Sequence, residues 1–234
     1  MRLKDEAGFW RDDFEMNSAN KSEKKRKSVL SIRYLFYDFV KFTAIPGYLW
    51  FRPRKIFISN EAKKKIRGGA LLISNHISFS DPIVLMLGIW YRRHHFICTK
   101  DFFEGKSRLI FQGFHCIPIN KNDFGMDSFR IIVEHLQNEE LVSMFPEGHV
   151  NMEDKADAFK SGMVLMSVMS GKPILPIYLK KRKSFWHRSV IAVGEPVYIN
   201  QLCGGKRPSL KQIDEIAAKL QAIEDELREF SERI

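Results

Sequence analysis

The sequence predicts an α/β domain whose central sheet is largely parallel and covered by helices on both faces. From about residue 53 onward, strand-like and helix-like segments alternate, the pattern of repeated strand–helix–strand units. Several strand candidates, Gly69–Ser74 foremost, are continuous apolar runs, as strands buried on both faces require. Two of those runs end in polar turns, and sites in such folds lie at the carboxyl ends of the strands.

Taken in order, residues 1–28 read as a polar arm that ends in the basic run Lys21-Ser22-Glu23-Lys24-Lys25-Arg26-Lys27. Residues 29–52 read as an amphipathic helical segment. Val29, Ile32, Leu35, Phe36, Phe39, Val40 and Phe42 fall on one broad arc, with Tyr34, Asp38 and Lys41 opposite. Arg33, Asp38 and Lys41 would sit mid-span in a bilayer crossing, at high cost. A polybasic run beside such a helix, with Tyr48-Leu49-Trp50-Phe51 after the Pro46-Gly47 break, is instead the pattern of a segment lying in an anionic membrane surface. Packing of the helix on the globular core is the plainer reading, and both can hold at once.

The remainder, residues 53–234, forms the α/β domain. Strands are expected at Lys55–Ile58, Gly69–Ser74, His95–Thr99, Cys116–Ile119, Leu141–Phe145, Ile174–Leu179 and Ser189–Val193. Helices are expected at Pro82–Tyr91, Lys106–Gln112, Asp127–Asn138, Ser161–Ser170 and Ser209–Phe230. The last carries Ile213, Ile216, Leu220, Ile223 and Leu227 at helical spacing, which suits packing onto the domain better than a dimer contact.

The chemistry is expected at Asn75-His76-Ile77-Ser78-Phe79-Ser80-Asp81, between the apolar strand and a helix start. Asp81 reads as the N-cap and Pro82 as the first helical residue. A neutral imidazole can take a proton from an attacking hydroxyl while a carboxylate fixes its tautomer. If the hydroxyl belongs to a substrate, the protein needs no nucleophile. The bland alternative is a capping aspartate beside an ordinary loop histidine. A second polar turn, Phe145-Pro146-Glu147-Gly148, ends another strand candidate and can converge on the same place.

Together, Asn-His-x-x-x-x-Asp and Phe-Pro-Glu-Gly resemble the blocks of the glycerolipid acyltransferases, typified by the 1-acylglycerol-3-phosphate acyltransferases. Gly113-Phe114-His115-Cys116-Ile117-Pro118-Ile119-Asn120-Lys121 is similar to the family's second block. Phe159-Lys160-Ser161-Gly162 and Pro173-Ile174-Leu175-Pro176-Ile177 are similar to its later ones. The resemblance spans roughly residues 55–195 and implies a glycerol-phosphate acyltransferase-like fold. It also implies acyl transfer from a thioester, acyl-CoA or acyl carrier protein, to a lysophospholipid hydroxyl. His76 is then the general base and Asp81 its orienter, with oxyanion donors among the backbone amides of the Asn75–Asp81 turn. Asn75, Lys121, Pro146, Glu147, Gly148, His149 and Lys160 become the substrate-binding candidates. Two of the blocks depart from the family pattern. Lys121 stands where Arg is usual, and His149-Val150 where Thr-Arg is usual, so that Phe145 to Asn151 is closer to the tafazzin-like form. Other lysophospholipid acceptors, or a transacylase reaction, are the neighbouring readings.

Composition bounds the partners. A formal net charge of +10 over 234 residues points to an anionic partner, and nineteen Phe with four Trp and six Tyr tilt that towards an anionic membrane surface. Three cysteines without CxxC spacing argue against a disulfide framework or a zinc site. The acyl transfer that the resemblance implies has a good thiolate leaving group, so no metal or cofactor is expected. The first residues lack a secretory signal and no stretch offers 18 uninterrupted apolar residues, so the expected location is peripheral, on the cytoplasmic face of a membrane. No nucleotide-binding or serine-hydrolase motif is present. A basic, non-catalytic nucleic-acid-binding protein is the alternative from a different class, although no helix-turn-helix, zinc-finger or RNA-binding signature accompanies the charge. An inactive membrane scaffold is a third, disfavoured by the presence of both His76 and Asp81.

Overall fold

The structure, a computed structural model, describes residues 34–43, 53–119, 126–146, 153–180, 187–204 and 208–234. The polar arm therefore lies outside the described residues, as do most of the loops flanking the expected site.

Seven strands form one sheet: β1 (Arg54–Phe57), β2 (Ala70–Ser74), β3 (His94–Thr99), β4 (Ile117–Ile119), β5 (Leu141–Met144), β6 (Ile174–Lys180) and β7 (Val190–Val193). Their order is β1-β7-β6-β2-β5-β3-β4. Every neighbouring pair is parallel except β6 and β7. The exception has a simple cause: residues 181–189 are too short a connection for a crossover, and a parallel return needs roughly a dozen residues or more.

β2 is central, and all five of its residues are buried. Leu71 and Ile73 face one layer of helices, while Ala70 and Leu72 face the other. The first layer comprises α4 (Met126–Gln137), α5 (Glu153–Ser170) and α7 (Leu210–Glu232), with the short α6 (Ile199–Leu202) beside them. α2 (Asp81–Gly88) covers the opposite face through Val84 and Leu85. A strand covered on both sides cannot alternate polar and apolar residues, which is why Ala70–Ile73 reads as an unbroken apolar run. α7 starts with a capping box between Ser209 and Gln212 and buries Ile213, Ile216, Leu220 and Leu227, so its apolar stripe packs on the domain.

Each expected strand is present within about one residue. α5 starts eight residues before the expected Ser161, at Glu153. α3 (Arg108–Gly113) follows two short 3₁₀ turns. Within the segment 29–52, the described helix is α1, Leu35–Thr43. Its polar arc is the docked one. Tyr34 and Tyr37 are buried, the Tyr37 hydroxyl accepts from the His94 amide at 3.0 Å, and burial pushes its phenol pKa up. Arg93 Nε donates to Asp38 at 3.0 Å, and Lys41 donates to the carbonyls of Trp90 and Arg92. Leu35, Phe39 and Phe42 consequently point outward, each more than 60% exposed. Among the described residues, no helix is long and apolar enough to cross a membrane.

Candidate active site

The site is built from the carboxyl ends of two adjacent strands. β2 and β5 pair with Ile73 opposite Met144, so the turns that follow them emerge side by side. His76 comes two residues after β2, and Phe145 directly follows β5. Their rings stack at 4.4 Å with 21° between planes. Phe145 thus sets the plane of the imidazole. It was expected as part of a motif, not as part of the site.

His76 Nδ1 lies 2.8 Å from Asp81 Oδ2. An ionised carboxylate only accepts, so Nδ1 donates and the lone pair of the ring is on Nε2. The same Oδ2 accepts the backbone amides of Ile77 and Ser78, each at 2.7 Å. Three donors on one oxygen hold a buried carboxylate beside an imidazole that keeps 20% of its side chain in solvent. The pair therefore has what a hydroxyl-activating base needs: a fixed tautomer, a fixed plane and access.

One expectation is corrected by this geometry and another is narrowed. Asp81 is not the N-cap. Ser80 occupies that position without a side-chain cap bond, and Asp81 is already helical with its carboxylate turned back over the turn. The amides of Ile77 and Ser78 are also committed to Asp81, so they serve the carboxylate rather than a substrate oxyanion. The turn is closed further by Asp81 N donating to Ser78 O at 3.0 Å and Ser80 N to Ser78 Oγ at 3.3 Å.

Asn75 is 4% exposed. Its Nδ2 donates to the carbonyl of Leu179 at 3.0 Å, and its Oδ1 accepts the Leu179 amide at 2.7 Å. It clamps the start of the turn to β6. Pro146 is half-buried beside Phe145. Glu147, Gly148, His149 and Lys121 fall outside the described residues, and Lys160 lies on α5 at a position whose side chain is likewise outside them. The end of β4, which leads to Lys121, is on the same side of the sheet but three strands from β2, roughly 14 Å at about 4.8 Å per strand.

Beside the turn is an open cleft of about 230 Å³ lined by Ile77, Ser80, Asp81, Leu179, Lys180 and Ser189 among others. Lys180 is the cation in this lining, held by a 2.6 Å bond from Nζ to the carbonyl of Ser231. The sequence placed it beyond a strand end and offered no sign that β7 would fold back beside it. Ile77 in this lining is exposed, as are Phe79 in the same turn and Ile83 at the start of α2.

A parallel α/β sheet with an oriented imidazole at its carboxyl edge defines a class of proton-transfer site. Residues 55–180, more than half of the chain, match the acyltransferase family, and the chain belongs to it. It is an O-acyltransferase, which sets aside the non-catalytic readings. A 1-acyl-sn-glycerol-3-phosphate acyltransferase of Bacillus subtilis is 23% identical over 183 residues, covering 76% of this chain and 88% of that protein. One from Borreliella burgdorferi is 23% identical over 195 residues, covering 75% of each. The fold is similar to the crystal structure of the 1-acyl-sn-glycerophosphate (LPA) acyltransferase PlsC from Thermotoga maritima. The TM-score is 0.57 at 17% identity, over 95% of this chain and 89% of that one.

Proposed function

We propose that this protein transfers a fatty acyl chain from an acyl thioester, acyl-CoA or acyl carrier protein, to the hydroxyl of 1-acylglycerol-3-phosphate. The observation that carries the reading is the 2.8 Å contact between His76 and a carboxylate whose position is fixed by two backbone amides. His76 Nε2 takes the proton of the acceptor hydroxyl as its oxygen attacks the thioester carbonyl. The carbon–sulfur bond then breaks and the imidazolium returns the proton to the departing thiolate. Asp81 stabilises the imidazolium in between. A thiolate leaves readily, so the step needs neither an acyl-enzyme nor a metal. The names of the two bacterial relatives support the acceptor.

The reaction takes place at the cytoplasmic face of an anionic membrane. The support is α1, which spends its polar arc on the protein and presents Leu35, Phe39 and Phe42 outward. Phe36 packs on Phe114 at the end of α3, and exposed Leu109 and Ile110 lie one turn earlier on that helix, extending the apolar surface.

A second acceptor reading, other lysophospholipids, is favoured by one feature of the sequence. Lys121 offers a point charge in place of a guanidinium fork, and Val150 stands where a second cation is usual. The test incubates the protein with labelled acyl-CoA or acyl carrier protein and a panel of lysophospholipids, then identifies products. Lysophosphatidate should be acylated, with zwitterionic lysophospholipids accepted more slowly, and Lys121→Ala should raise KM for lysophosphatidate most. Acylation of none of the panel overturns the reading. An equal effect of Lys121→Ala on every acceptor removes Lys121 as the phosphate reader.

A further inference from the structure

At the opposite end of the sheet from His76, three side chains from separate elements converge. His95 is the second residue of β3, His135 lies in the last turn of α4, and Glu140 directly precedes β5. One ligand atom from each lies within 4.8 Å of the others. His135 Nδ1 is 2.6 Å and His95 Nε2 3.6 Å from Glu140 Oε2. We propose that His95, His135 and Glu140 form a binding site for a first-row divalent cation, zinc by its donor set, that ties β3, α4 and β5 together.

The donor chemistry is two imidazole nitrogens and one carboxylate oxygen, a set that suits zinc with water completing the tetrahedron. Ligand atoms around a tetrahedral zinc sit about 3.3 Å apart, given bonds of about 2.0–2.1 Å. The two separations from Glu140 bracket that value and all three atoms lie within 4.8 Å, so side-chain adjustments of about an ångström suffice. The metal would take the place of the direct contact between His135 Nδ1 and Glu140 Oε2.

The surroundings are arranged as around a ligand set. His95 Nδ1 lies 3.2 Å from the carbonyl of His115 and donates to it, which directs the Nε2 lone pair at the cluster. Metal-bound histidines commonly make this outer contact. His115 adopts a left-handed conformation (φ 54°) as the chain enters β4, and its ring packs on Tyr34 at 4.3 Å. The other oxygen of Glu140 accepts the Tyr34 hydroxyl at 3.4 Å. Both outer partners therefore involve Tyr34, the residue at the foot of α1, so the site sits beneath the helix that displays the outward apolar face.

The set is also preorganised. The amide of Glu139 donates to Leu136 O and that of Glu140 to His135 O, a Schellman closure with Glu139 in the left-handed region (φ 63°). This closure holds His135 and Glu140 together independently of their side chains. His95 is 4% exposed, and its Nδ1 contact with the His115 carbonyl keeps Nε2 turned towards the other two donors. The carboxylate is 13% exposed and the His135 side chain 25%, leaving a path for entry.

The inference is independent of the acyl-transfer reading, because the cluster lies at the amino ends of β3 and β5, whereas His76 follows the carboxyl end of β2. The test uses the untagged full chain, stripped with chelator and titrated with zinc alone against a chromophoric competitor, then with cobalt. One equivalent should bind, cobalt should give the visible absorption of a tetrahedral site, and the unfolding midpoint should rise with zinc. His135→Ala, at a partly exposed helix end, should weaken binding by about 100-fold or more, and Glu140→Gln similarly, since even outer partners are worth about 10–100-fold. Glu140→Gln keeps the shape of the cluster and so decides the matter if His135→Ala folds poorly. No uptake at micromolar zinc, or uptake undiminished in Glu140→Gln, overturns the proposal.

Discussion

Asp81 is the residue on which the turn depends, because one of its oxygens accepts His76 and two backbone amides. Two substitutions separate these roles. Asp81→Asn keeps an oxygen that can accept the Ile77 and Ser78 amides, so the fold should survive. Activity should fall by about 10²–10⁴, because the imidazolium loses its counter-charge. Asp81→Ala leaves both amides without an acceptor and should also lower stability by about 1–3 kcal/mol. Thermal melts alongside turnover distinguish the two. The residue scale also fixes a pH dependence. Burial holds His94 at about 3 and His95 at about 4, against an ordinary 6.5. Below pH 6.5 the unfolded chain gains protons that the folded chain refuses. Stability, measured with chelator present, should therefore be complete above pH 6.5 and decline as pH falls towards 4, by about 1.4 kcal/mol per pH unit for each fully buried histidine. Denaturant unfolding read across that window checks the slope, and a flat profile contradicts it.

At the scale of elements, α1 shows how far helical phasing can be read. The sequence separates Tyr34, Asp38 and Lys41 from the apolar arc, but periodicity cannot say which arc meets the protein. Partners decide that: Arg93, the His94 amide and the carbonyls of Trp90 and Arg92 wait at the amino end of β3 for the polar side. Serine at Leu35, Phe39 and Phe42 should leave the melting temperature unchanged, because these side chains are exposed. It should weaken binding to anionic vesicles by about 100-fold or more, at about 1.5–3 kcal/mol per buried aromatic or leucine. High salt should weaken the wild-type attachment without abolishing it. A triple variant that sediments with vesicles like the wild type contradicts the membrane assignment. Other elements were legible to different degrees. α5 was read eight residues short because Glu153–Lys160 carries no apolar stripe, and four-residue α6 is too short to show a period. The Ser80-Asp81-Pro82 start offers two capping residues in a row, and the carboxylate was claimed instead by His76 and the turn.

At the scale of the molecule, the parallel character of the sheet was readable from its apolar strands, and the convergence of two turns at its carboxyl edge followed from the fold class. Strand order was not readable, and neither was the β6–β7 reversal that brings Lys180 and Ser189 to the cleft. The His95–His135–Glu140 cluster was hidden for the same reason. His94-His95 near Cys98 suggests nothing on its own, and only the pairing of β3 with β5 brings Glu140 to it. The molecule thus places its proposed base at one end of the sheet and its helix-anchoring cluster at the other. His76 is proposed to activate the acceptor hydroxyl. The most direct measurement is turnover of His76→Ala with acyl thioester and lysophosphatidate, beside a melt that establishes folding. The melt should be unchanged and the rate lower by about 10²–10⁴ if His76 is the base. Near-wild-type turnover by the folded variant would contradict it.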